Sequence, residues 1–424
     1  MIVCYAFAVP RRLRGILCTI LLALSLTADS AVRGTATQPT RPVVVLISID
    51  GFRWDYLERF HPPVLGQLAA AGVRSEGLIP VFPSKTFPNH YTVVTGLHPA
   101  RHGLTSNSMV DPALPGRFTL SNRDVQQDTR WWGGEPLWVG VERQGHVAAT
   151  MFWPGSDAEI AGDRPTYWRP YEHEFPNDLR VDQLLAWLKR PDSQRPTFLT
   201  LYFSDVDDAG HGFGPNAAET RQAVLDVDAA VGRLVDGVAQ LGLAARTHYV
   251  IVSDHGMAEL SRDRVIVLDD YLDLSTVDMI DSAPIVGVSA RPGVSVEAVY
   301  RALAGKHPAM QVYMRSTLPE EHRLRDHPRL PDVVGIVDDG WHPTTREWLG
   351  RRERSQEFPG GNHGYEPRHR SMHGVFVAAG PQFKSGVVVP AFSSVHVYEL
   401  LCRLLGVRPA SNDGDPAVTA SFLR

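Results

Sequence analysis

Three apolar runs that each end on a carboxylate constrain this chain more than any other feature. Residues Val43 to Ile49 are almost wholly β-branched and stop at Asp50-Gly51. An apolar run without polar alternation is the pattern of a strand buried on both faces. The design recurs where Thr197 to Phe203 leads into Asp205-Val206-Asp207, and where His248 to Val252 leads into Ser253-Asp254-His255-Gly256. Between the runs lie helical stretches, Asp178 to Leu188 and Asn216 to Leu241. The second carries Val224, Val227, Ala230, Val231 and Leu234 at helical spacing. Strands alternating with helices predict an α/β fold with a largely parallel central sheet flanked by helices.

At 424 residues one hydrophobic core is near its practical limit, so a large domain with an inserted smaller lobe, or two lobes, is expected. The 42 Lys and Arg against 47 Asp and Glu give a formal charge of −5. That balance excludes an electrostatic grip on long nucleic acid, so nucleotides would have to be held in discrete pockets. Residues 1–31 read as a signal peptide: Arg11, Arg12 and Arg14 form a basic region, Ile16 to Leu26 an apolar one, and Ala28 to Ala31 offer small residues for cleavage. Export to the periplasm or medium is expected, without stable membrane association once the signal is removed. Cleavage itself and oligomeric state are left open. Residues 32–41 read as a linker. Cys4 and Cys18 leave with the signal; Cys402, in an apolar run, reads as a buried small hydrophobe with no disulfide partner.

Functional groups in open α/β sheets gather at the carboxyl ends of strands. A single Asp there ordinarily caps a helix or makes a turn. Three such ends with histidines attached are a different matter. Asp207 and His211 stand four residues apart and can converge on one ion; Asp254-His255 is an adjacent pair; His363 lies between Asn362 and Gly364. Asp and His together form the donor set of a catalytic zinc site. The segment Pro83-Ser84-Lys85-Thr86-Phe87-Pro88-Asn89-His90 predicts a helix starting near Thr86 or Phe87. Thr86 is there either an N-cap or a nucleophile, at a helix end whose N–H groups favour phosphate. A threonine hydroxyl attacks at neutral pH only with help from a base or metal ion.

The ordered set Asp50 in Ser-Ile-Asp-Gly-Phe-Arg, Thr86 in Lys-Thr-Phe-Pro-Asn-His, Asp207 and His211 in Asp-x-Asp-x-x-Gly-His, Asp254-His255-Gly-Met and Asn-His363-Gly-Tyr resembles the nucleotide pyrophosphatase/phosphodiesterase family of the alkaline phosphatase superfamily. The likeness runs from about residue 43 to 385 and takes in Trp153-Pro154-Gly155 and Gly340-Trp341. It implies two zinc ions per chain. Asp207, His211 and His363 would hold one; Asp50, Asp254 and His255, with the Thr86 oxygen, would hold the other. It further implies that Thr86 attacks phosphorus to give a covalent phosphothreonine, and that Asn107 donates to a phosphate oxygen. Phe87 and Tyr171 are placed like the family's base-stacking pair, with Tyr202 a further substrate-binding candidate. His373 is read as either a supporting or a structural histidine. The implied activity is hydrolysis of nucleotide phosphodiester and pyrophosphate bonds, releasing nucleoside 5′-monophosphates from a small-molecule nucleotide or phosphodiester substrate.

The resemblance also divides the chain into a catalytic core, 42–260 and 359–424, and an insertion lobe, 261–358, which in the family covers one side of the site. Without the added domains of animal members, the chain resembles a single-domain bacterial type. Three alternatives are weighed on residues. A sulfatase would need a Cys or Ser precursor and an x-Pro-x-Arg sequence, absent around Thr86. A phosphomonoesterase of the superfamily would place a Lys-x-Arg pair where this chain has Trp153-Pro154-Gly155-Ser156. A zinc-stabilised binding protein would not need a nucleophile beside six ligands. Substrate is left open between nucleotides and a phospholipid headgroup.

Overall fold

The computed structural model describes residues 41–355 and 357–424. The signal peptide and all of the linker except Arg41 lie outside the described residues. Strands of the two main sheets are, in chain order, β1 (Val43–Ile49), β2 (Val73–Ser75), β3 (Ala148–Met151), β4 (Tyr167–Arg169), β5 (Phe198–Phe203), β6 (Thr247–Val252), β7 (Val277–Asp281), β8 (Ile285–Ala290), β9 (Met310–Met314), β10 (Val333–Val337), β11 (Phe376–Ala379) and β12 (Val387–Val389). The large sheet has the order β12-β2-β11-β6-β1-β5-β3-β4. β6, β1, β5, β3 and β4 run parallel, while β11 lies antiparallel to both β6 and β2. The mixed α/β architecture and its largely parallel centre agree with the sequence reading.

β1 explains why an unbroken apolar run was needed. Val44 and Leu46 enter one apolar layer, with Tyr91, Val94 and Leu401; Val43, Val45, Ile47 and Ile49 enter the other, with Val181, Val227 and Leu234. Helices α1 (Thr86–Thr95), α2 (Asn177–Leu188), α3 (Asp205–Phe213), α4 (Ala218–Gln240), α5 (Val296–Leu303) and α6 (Val397–Leu405) accompany the sheets. α4 begins two residues later than its apolar spacing suggested. Its buried stripe is Val224, Val227, Val231, Leu234 and Val238, alternating steps of three and four residues along one face. Cys402 is buried in α6 as a free thiol.

A second, antiparallel sheet, β7-β8-β10-β9, is built from residues 277–337. It has its own apolar cluster, with Val286, Val288, Val299, Leu303 and Val333. No helix among the described residues is long and apolar enough to cross a membrane.

One buried charge ties helix to helix. Asp228 interrupts the apolar face of α4, yet its carboxylate accepts the N–H groups of Leu65 (2.7 Å) and Val64 (3.1 Å), the first turn of the helix Pro63–Ala71. Those donors have no partner inside their own helix. Burial pushes the Asp228 carboxyl up while the two N–H groups pull it down. Asp228→Ala should lower stability by about 1–3 kcal/mol, read as an earlier urea midpoint at unchanged slope.

Candidate active site

Asp50, Asp207 and Asp254 arrive at one place because neighbouring parallel strands end together. β1 is flanked by β5 and β6; Asp50 follows β1, Asp207 lies in the first turn of α3 just after β5, and Asp254 follows β6. Gly51 makes the approach possible. Its φ is +67°, and a Cβ there would stand 2.9 Å from the Asp207 Cα, so a side chain would push Asp207 away.

The donor atoms fall into two sets, Asp207, His211 and His363, and Asp50, Asp254 and His255; within each they lie within 4.8 Å of one another. His255 Nε2 is 2.9 Å from Asp254 Oδ2 and 3.3 Å from Asp50 Oδ1. His211 Nε2 is 3.4 Å from Asp207 Oδ2, and His363 Nε2 is 3.8 Å from Asp207 Oδ1. The histidines are pre-oriented by main chain. The Nδ1 atoms of His211, His255 and His363 lie 3.1, 2.9 and 2.9 Å from the carbonyl oxygens of Gly361, Gly256 and Ser84. A carbonyl only accepts, so Nδ1 carries the proton and Nε2 is left as the ligand atom. The His255 and His363 rings stack at 3.5 Å.

This much negative charge is costly out of water. Burial, then Asp254 and Asp207, push the Asp50 carboxyl well above its ordinary value. Burial acts the same way on Asp254, but the His255 and His90 rings beside it win and hold it well below. Burial, with His255 and His211 as neighbours, keeps His363 well below the ordinary imidazole range, hence neutral. Asp50 Oδ1, Asp207 Oδ1 and Asp254 Oδ2 are buried without a hydrogen-bond partner among the described residues. Unpaired carboxylate oxygens facing histidine Nε2 atoms whose Nδ1 positions are committed to carbonyls fit divalent cations.

Thr86 is the first helical residue of α1, and Lys85 occupies the N-cap position without a side-chain cap. The N-cap alternative for Thr86 therefore does not apply. Its Oγ1 lies 3.4 Å from His255 Nε2. Asn107 Oδ1 accepts the Phe87 N–H at 2.9 Å. Since the backbone N–H must donate, the acceptor end of the amide faces it, and the Asn107 NH₂ is the end left over. Phe87, Tyr171 and Tyr202 line one cavity of about 360 Å³, with Asp50, Thr86 and Asp207. The Phe87 ring meets Phe118 edge-on at 5.4 Å, and Tyr171 meets Phe152 edge-on at 5.3 Å. The Tyr202 hydroxyl is spent on Asp50, donating to Oδ2 at 2.7 Å. Burial, then Asp50, raise the Tyr202 pKa well above its ordinary value, so it keeps the proton it donates. His373 stays outside the cluster, its Nε2 3.0 Å from the Pro367 carbonyl.

Sequence reasoning missed two residues of α1. Asn89, fully buried, donates through Nδ2 to the carbonyls of Pro83 and Lys85 (2.9 Å each) and accepts the Val81 N–H at 2.7 Å, pinning the loop ahead of Thr86. His90 Nδ1 is 2.9 Å from the Thr86 carbonyl and 3.3 Å from Asp254 Oδ2, and its Nε2 is 2.8 Å from the Ser48 hydroxyl. The available signal was the four-residue step from Thr86 to His90, one helical turn. His90→Phe keeps a ring of similar volume but leaves the Ser48 hydroxyl and Asp254 short of a partner. It should cost about 1–3 kcal/mol, measured by urea unfolding.

Residues 44–366 match the family model described as type I phosphodiesterase / nucleotide pyrophosphatase. The chain is 34% identical over 396 residues to human ectonucleotide pyrophosphatase/phosphodiesterase family member 5, covering 93% of this chain and 80% of that protein. It is 35% identical over 383 residues to the venom phosphodiesterase of Naja atra, covering 88% of this chain and 45% of that longer protein. A solved structure of murine family member 5, an inactive threonine-to-alanine variant in complex with AMP, superposes with a TM-score of 0.84 at 33% identity, covering 91% of this chain and 100% of that one.

Proposed function

The chain belongs to the type I phosphodiesterase / nucleotide pyrophosphatase family, and from that premise we propose that it is a zinc-dependent hydrolase of nucleotide phosphodiester and pyrophosphate bonds that works through a covalent phosphothreonine. The observation that carries the reading is the placement of the Thr86 hydroxyl against His255, beside two Asp/His donor sets and in the lining of an aromatic-rich cavity. The complex of murine family member 5 with AMP supports a nucleotide as the group bound there. Export is proposed on the basic and apolar segments of residues 1–31. The division into core and insertion at 261–358 is supported by the separate antiparallel sheet and its apolar cluster.

In this mechanism Asp207, His211 and His363 would hold one zinc ion, and Asp50, Asp254 and His255, with the Thr86 oxygen, the other. When bound, the two ions supply Lewis-acid stabilisation of charge on the attacking and departing oxygens. The chain's own residues do the rest. Tyr202 holds Asp50 by its hydroxyl, and three carbonyls hold the histidine rings in their ligating orientation. Thr86 Oγ1 forms the new ester bond to phosphorus as the bond to the leaving group breaks, and the proton lost from the hydroxyl ends on the departing oxygen. Its side chain is fixed at a helix start that His90 and Asn89 brace, so attack needs no search for geometry. The Asn107 NH₂, turned away from the Phe87 N–H, donates to a non-bridging phosphate oxygen. Water then opens the threonine ester and frees the nucleoside monophosphate. Phe87 and Tyr171 offer flat faces to the base, which suits a site that accepts several bases.

Thr86→Ala removes the attacking oxygen but none of the six Asp/His ligands. It should fold, keep the wild-type zinc content and lose hydrolysis by orders of magnitude, while Thr86→Ser keeps part of it. Acid quenching with labelled substrate should trap the nucleotide on Thr86 of the wild type. Near-normal turnover by the zinc-loaded alanine variant would remove the covalent mechanism.

Phe87→Ala and Tyr171→Ala should weaken turnover of nucleotide esters by about 1–3 kcal/mol per ring and spare methyl p-nitrophenyl phosphate. Equal losses on both substrates would assign the rings to the fold rather than to the base.

A further inference from the structure

A third group of donors lies beyond the loop that carries His363, and nothing in the proposed reaction uses it. Glu321 and His322 belong to the short 3₁₀ turn Glu320–His322, and Glu366 follows Tyr365. One ligand atom from each of Glu321, His322 and Glu366 falls within 4.8 Å of the others, the spacing that both strand-end sets also meet. Unlike an acidic surface cluster, this one has a buried imidazole aimed into it. His322 is 6% exposed, and its Nε2 is buried without a hydrogen-bond partner among the described residues. Glu366 Oε1 stands 3.2 Å from that nitrogen. Phe82 stacks on the ring at 4.1 Å and 21°, so the imidazole is held facing the carboxylates. The other Glu366 oxygen is taken by Arg368 at 2.5 Å, which leaves Oε1 as the end turned to His322.

A buried ring nitrogen facing a carboxylate oxygen without an aligned hydrogen bond is an unfavourable arrangement. A cation between them removes the conflict, because both atoms then act as donors to it.

We propose that Glu321, His322 and Glu366 form a third metal site, distinct from the two strand-end sets, that takes a divalent ion of the zinc or manganese class. One imidazole with two carboxylates is a borderline donor set, suited to those ions more than to calcium, which prefers six to eight oxygens. Bound there, the ion joins the turn at 320–322 to the segment that runs back to His363. Its role is structural: a tie between the chain just ahead of β10 and the loop that supplies a catalytic-site histidine.

The test is the metal content of the full-length protein, loaded with zinc and then desalted, measured by atomic emission. Wild type is compared with His322→Leu, which keeps an apolar side chain against Phe82, and with the double variant Glu321→Gln/Glu366→Gln. Each variant should hold one equivalent of zinc per chain less than wild type. Failure of the two-zinc reading of the strand-end sets would lower all three proteins together and leave the difference intact. Equal zinc content in wild type and both variants overturns the third site.

Discussion

The rest of the site depends on the crowding of three carboxylates, two buried and one half-buried, at adjacent strand ends. Asp50, Asp207 and Asp254 stand where solvent is largely excluded, and bringing ionised groups there is expensive unless each is matched. The protein answers with neighbours of opposite demand. Tyr202 donates to Asp50, His90 and His255 stand beside Asp254, and His211 and His363 stand beside Asp207. Carboxylate oxygens still remain unpaired. The same parallel sheet that buries β1 on both faces therefore also creates the electrostatic need that a pair of cations would meet.

The scaffolding around that charge is mostly main chain. Three carbonyls set the tautomers of three histidines, and Gly51 lets Asp207 come against the end of β1. The start of α1 is braced in the same manner. Asn89 gathers three main-chain groups of the preceding loop, and His90 reaches from the Thr86 carbonyl towards Asp254. Lys85, next to Thr86, is drawn the other way, into a buried ion pair with Asp281 at 2.6 Å. Because Asp281 ends β7, the loop that presents Thr86 is fastened to both sheets. A hydroxyl held this firmly loses little freedom on reaching its target.

Much of this was legible in the residues because it is local. The three runs ending at Asp50, Asp207 and Asp254 each carry their own strand signal and their own carboxylate, and α4 declares itself by its apolar spacing. The division of labour inside the site was harder to read. Thr86 could be a cap or a first-turn residue on its sequence, and only the chain path, with Lys85 in the cap position, separates the two. Tyr202 lines the cavity as its sequence position suggested, while the tie of its hydroxyl to Asp50 had no sequence signal. Asn89 gave no separate signal, and His90 only its one-turn step from Thr86: a polar residue inside a helix says little until its partners, 4 to 164 residues away, are known. The four strands between residues 277 and 337 were not read from the sequence, since short strands of mixed character lack a clear period.

What the sequence by itself determined is the set of parts: an α/β chain, strands that end on Asp50, Asp207 and Asp254, a threonine at a helix start, and histidines spaced to join those carboxylates. Periodicity and strand-end chemistry are properties of neighbours along the chain, so they survive without coordinates. Tertiary structure decided which nitrogen of each histidine faces the cluster, which oxygen of Asp50 is already taken, which end of Asn107 is free, and that Glu321, His322 and Glu366 meet at all. Those outcomes depend on groups up to hundreds of residues apart being brought within hydrogen-bonding reach, where angle and burial, not order in the chain, set the energy.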